Sequence, residues 1–177
     1  MKKLLIILLF VVMLIVNYIL QVNFFSNFTI AGIVPNLFII FILFVSLYSN
    51  SLIGQMFAVI TGLMLDFLYG NVVGVTPAML CIIAYLAGYF DKNFSKESKI
   101  TILLMVLGST VIFEFGRYFL LSAIEGYKAN YLVCIKIILI EALYNVLLTI
   151  IIYPFMQKIG YAIDRVFKKE NILTRYF

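Results

Sequence analysis

Long apolar runs broken by brief polar punctuation set the pattern of this chain. They extend from Leu4 to Leu20, Leu37 to Tyr48, Leu52 to Gly70, Pro77 to Phe90, Ile100 to Leu121 and Tyr131 to about Pro154. An uncharged run near 20 residues can cross the hydrocarbon layer of a bilayer, about 30 Å thick. The pattern therefore predicts six membrane helices. The first run follows Met1-Lys2-Lys3 and has the shape of a secretory leader. No small-x-small cleavage site follows it, only Gln21-Val22-Asn23-Phe24, so it is read as a retained helix. The connection from Asn23 to Val34 is uncharged and aromatic-rich. Pro35-Asn36 opens the second helix, where Pro suits the first turn. That helix is short for a span, and either extends to about Ser49 or dips in from a partly buried loop. Ser49-Asn50-Ser51, Asn71 to Thr76 with Gly74, Asp91 to Lys99, and Glu125 to Lys128 supply the remaining turns.

Composition turns this pattern into a membrane protein. The 177 residues are 65% hydrophobic and 12% charged, whereas soluble domains carry roughly 25% charged residues. One domain is expected, a six-helix transmembrane bundle over residues 1–156, followed by a basic cytoplasmic tail over 157–177. A net charge of +5 would suggest nucleic acid in a soluble protein; here no nucleic-acid partner is expected, because the cations orient helices. With six spans, Lys2, Lys3, Lys92, Lys96, Lys99, Lys158, Arg165, Lys168, Lys169 and Arg175 share one side, and only Lys128 marks the other. The positive-inside rule then puts both termini in the cytoplasm. The tail is read as a solvated basic flank, or as an amphipathic segment on the lipid surface with Ile159, Ile163, Val166 and Phe167 on one face.

The absence of His removes His-based triads, HExxH zinc sites and His proton relays. Cys81 and Cys134 lie in apolar stretches without metal-ligand spacing and read as core residues. There is no phosphate-binding or dinucleotide fingerprint, and no cofactor or metal is expected. The sharpest pattern is in the third helix. Gly54, Ala58, Gly62, Asp66 and Gly70 recur every four residues and so share a face. Small residues in a stripe let a neighbouring helix approach closely, which places Asp66 in a tight interface. Five charges fall inside the spans: Asp66, Glu114, Arg117, Lys136 and Glu141. Intramembrane charges normally face partners or water. At a rise of 1.5 Å per residue, Asp66 and Arg117 lie roughly 6 Å from the nearer helix ends, Lys136 about 8 Å, Glu114 about 10 Å and Glu141 about 15 Å. Similar depths predict an Asp66–Arg117 pair, whose charge swap should partly restore what Asp66→Asn or Arg117→Ala loses, and a Glu114–Lys136 pair. Glu141 is expected to be protonated or bonded to Asn145.

The stretch Gly62-Leu-Met-Leu-Asp66-Phe-Leu-Tyr-Gly70-Asn-Val-Val-Gly74, followed by Ile83-Ala-Tyr85-Leu-Ala-Gly88, resembles the bacterial rod shape-determining protein MreD family. So does Val34-Pro35-Asn36-Leu37 at a helix start. The resemblance implies a multi-pass protein of the bacterial cell membrane, non-catalytic, in the cell-elongation machinery. It implies association with an MreC-like scaffold protein and, through it, with the glycosyltransferase RodA, a class B penicillin-binding protein and MreB, all within membrane lipid. It also implies a fold similar to the substrate-binding subunits of energy-coupling factor transporters. Three functions stand open on the residues: a structural membrane partner, a vitamin-type binding subunit with a pocket lined by the charge cluster, and a small intramembrane enzyme using Asp66 and Glu114.

Overall fold

The computed structural model describes residues 2–69, 72–93, 98–126 and 131–173, with side chains over 4–69, 72–90, 98–126 and 131–163. Gly70, the loops holding Lys96 and Lys128, and residues 174–177 lie outside the described residues. The described residues form six α-helices: α1 (Lys2–Ile19), α2 (Leu37–Tyr48), α3 (Ser51–Tyr69), α4 (Val75–Asn93), α5 (Lys99–Glu125) and α6 (Tyr131–Leu173). Among the described residues there is no sheet, only an isolated Ile30–Ile33 bridge. Four segments, in α1, α3, α5 and α6, are long and apolar enough to cross a membrane; α2 and the apolar part of α4, Val75–Phe90, are shorter. Six helices form as the pattern predicts, and among the described residues four are long and apolar enough to span.

The shortest helix holds the centre. Every residue of α2 is buried, as expected for a segment apolar all round. Twelve residues make a rod of about 18 Å, well short of a bilayer's hydrocarbon thickness. The backbone ahead of it is irregular, exposed over 28–32 and buried only at Pro35. Pro35 does not enter the first turn. Asn36 is the N-cap residue, with φ −109° and ψ 91°, and its side chain makes no cap bond. The free N–H groups of the first turn go instead to other helices. Asn36 N donates to Asn145 Oδ1 at 2.8 Å, and Leu37 N donates to Gln21 Oε1 at 3.0 Å. Gln21 Nε2 donates in turn to Pro35 O at 2.7 Å, and Asn17 Nδ2 to Leu37 O at 3.2 Å.

Close contacts fix the directions of the rods. Gly54 meets Ser46 across α2 and α3, while Gly62 meets Pro77 and Gly88 meets Ser51 across α3 and α4. Thr110 meets Asn145 across α5 and α6. Each pair runs antiparallel. α2 and α6 run parallel, with Asn36 beside Asn145 and Tyr48 beside Gly160. The start of α1 and the end of α6 therefore share one end of the bundle.

α4, α5 and α6 run beyond the lengths read from sequence. α4 begins at Val75 rather than Pro77. A third-position Pro breaks nothing there, because the first four N–H groups have no intrahelical partner. α5 starts at its Ser98 cap, whose Oγ accepts from Thr101 N at 3.4 Å, and ends on Gly126 at φ 69°. The larger difference is α6, which runs through Pro154 to Leu173. Gly160 lies against the Tyr48 ring, Ile163 is 2% exposed, and Ile159 packs on the core. Those contacts hold the helix past its proline. They also turn Ile159 and Ile163 inward, onto α1 and α2, and away from a lipid surface.

Candidate functional site

The small-residue stripe forms the α3 interface. Gly54, Ala58, Gly62 and Asp66 are all buried, and α3 makes its most extensive contact with α4. A Cβ on Gly62 would stand 2.3 Å from Pro77 Cα, and one on Gly88 would stand 2.3 Å from Ser51 Cβ. Neither could be placed without moving its neighbour. Tyr85 lies off this interface, 61% exposed on α4.

Asp66 does not pair with Arg117. Its Oδ2 accepts from Gly74 N at 2.8 Å, and Oδ1 is buried without a hydrogen-bond partner. Gly74 sits at φ 108°, a left-handed conformation that favours glycine. Asp66 thus clasps the α3–α4 turn, while α4 packs against both α3 and α5. Asp66→Asn keeps an acceptor for Gly74 N and is expected to leave thermal stability in detergent nearly unchanged, whereas Asp66→Leu should lower it by roughly 1–3 kcal/mol through the orphaned N–H. The Asp66/Arg117 swap should rescue nothing, since no contact joins the two.

Glu114 and Lys136 do not pair either. Lys136 is exposed on α6, whereas Glu114 interacts with Glu141 and Arg117. Glu141 reaches Glu114, Arg117 and Asn145. The bundle therefore gathers three of the five intramembrane charges and leaves Asp66 and Lys136 apart. The three line an open cavity of about 680 Å³ at the end opposite the termini, together with Gln21, Asn36 and Tyr69 among others. Pro35 lines it as well, so the α2 start is its floor.

Asn145 is the hub that sequence reasoning undervalued. It is fully buried. Its Oδ1 accepts from Asn36 N, its Nδ2 donates to Thr110 Oγ1 at 3.0 Å, and its carbonyl accepts from Thr149 Oγ1 at 2.7 Å. The signal was a polar ladder in an apolar helix: Glu141, Asn145 and Thr149 stand four residues apart, as do Asn17 in α1 and Gln21 in the π-helical turn Leu20–Phe24 that follows it.

A bundle with apolar outer faces, a short buried central helix and a polar cavity at one end defines an all-α integral membrane protein. The chain belongs to the MreD family, for the family model of the rod shape-determining protein MreD matches residues 1–159. Comparison with curated proteins and with solved structures gave no match.

Proposed function

We propose that this chain is a non-catalytic component of the rod-shape machinery of the bacterial cell membrane. It lies there with both termini in the cytoplasm. It binds an MreC-like scaffold protein, and through it supports peptidoglycan synthesis by RodA and a class B penicillin-binding protein, with MreB on the cytoplasmic side. Membership of the MreD family carries this reading. The bias of Lys and Arg toward the chain ends and the connection from Asp91 to Lys99 in the sequence supports the orientation.

The connections are too short for a standard interface of about 800 Å² per partner. The outward faces of α1, α5 and α6 are apolar instead, with Leu8, Val12, Leu104, Phe119, Leu139 and Leu147 exposed. A transmembrane helix of the scaffold would dock on such a face. Purification of the intact chain from its native membrane in mild detergent should bring down an MreC-like protein in stoichiometric amount. The cavity favours a second reading, a vitamin-type binding subunit of an energy-coupling transporter. Recovery of a bound vitamin, with no scaffold protein, would replace the first reading with the second.

A further inference from the structure

The cavity wall is unbalanced. Glu114 and Glu141, two carboxyls, face one guanidinium, Arg117. Glu141 is 6% exposed, and its Oε1 is buried without a hydrogen-bond partner. Asn36 Oδ1, on the same wall, is also unpartnered. Both orphans are acceptors. A buried acceptor left unmade is costly, and the hydrogen bonds that the neighbouring amides make go elsewhere. Asn145 Nδ2 directs one N–H to Thr110 Oγ1 and Gln21 Nε2 directs one to Pro35 O, and Oε1 of Glu141 and Oδ1 of Asn36 stay unpartnered.

We propose that this cavity is a binding site for a primary ammonium carried next to an anionic group. An ammonium brings three N–H donors, which suit Glu141 Oε1, Asn36 Oδ1 and the Glu114 carboxyl. Arg117 receives the anion, because a guanidinium grips phosphate or carboxylate through paired N–H groups. The volume, about 680 Å³, falls within the roughly 300–1,000 Å³ of small-molecule sites. The same chemistry comes from a free zwitterion or from an ethanolamine lipid headgroup. The site does not rest on the scaffold reading, because it occupies the cavity and leaves the outer helix faces untouched.

The probes are phosphoethanolamine and phosphocholine, which share the anion but differ in N–H donors. The full chain is melted in detergent with each, and with inorganic phosphate. It is also melted in nanodiscs of phosphatidylethanolamine or phosphatidylcholine. Phosphoethanolamine should raise Tm by several degrees where phosphocholine and phosphate do not, which identifies a free zwitterion as sufficient. A Tm advantage confined to phosphatidylethanolamine nanodiscs identifies the lipid headgroup. Glu141→Gln should abolish the preference; where that variant does not fold, Glu114→Gln should weaken it. Equal melting with ethanolamine and choline forms in both settings overturns the proposal, as does an unchanged preference in a folded Glu141→Gln protein.

Discussion

Gly62→Leu should prevent recovery of folded protein. At this position even a Cβ would come within 2.4 Å of Pro77 N and 2.3 Å of its Cα. These are backbone atoms of a proline in the first turn of α4, so no rotamer change makes room. The helices would have to separate, and the separation would open the interface along Gly54, Ala58 and Asp66 as well. Overpacking a well-packed core costs roughly 1–3 kcal/mol, and a rigid backbone neighbour puts this case at or above the top of that range. The measurement is monodisperse yield and Tm in detergent against Gly108→Leu, at a glycine where an added Cβ meets nothing within 4 Å. Comparable losses in the two variants would show that α3 and α4 do not depend on the close approach.

The stripe was legible because its signal is one-dimensional. Small residues four apart mark a face whatever the neighbour, and Gly54, Ala58 and Gly62 are buried as the spacing requires. The MreD resemblance, carried by that same stretch, was legible too. The charge pairing was not, because depth supplies one coordinate and contact needs the azimuth as well. Lys136 and Glu141 are five residues apart, which at 3.6 residues per turn turns them roughly 140° from one another. With Glu141 inward, Lys136 must point outward. Arg117 and Glu114, three apart, stay on one side. Pro154 read as a helix end because proline removes a backbone bond. Packing of Gly160 and Ile163 against the core overrides that local cost. The central place of α2 was likewise out of reach. A run apolar all round signals burial, but not which helices surround it.

Asn145→Leu is the second large expected loss, and it tests whether α2 is held by side chains from elsewhere in the chain. The substitution keeps the number and branching of the side-chain heavy atoms and removes both polar ends. Asn36 N then loses its acceptor, at about 1–3 kcal/mol when left buried, and Thr110 Oγ1 loses its donor but keeps its own bond to Val106 O. Polar bonds between membrane helices have averaged nearer 0.6 kcal/mol in double-mutant cycles, because the separated helices find other partners. Asn36 N has no such freedom, since it lies in the irregular segment ahead of α2 and cannot re-form an intrahelical bond. Asn145→Leu should therefore cost more than Thr110→Val. A cycle with both changes should show coupling, as the Thr110 partner is already gone in the Leu variant. The α2 start is also the cavity floor, so Asn145→Leu should reduce any Tm response to phosphoethanolamine, while Thr110→Val should leave it in place. Equal losses of stability in the two variants would locate the stabilisation in the α5–α6 bond alone and remove Asn145 as the anchor of α2.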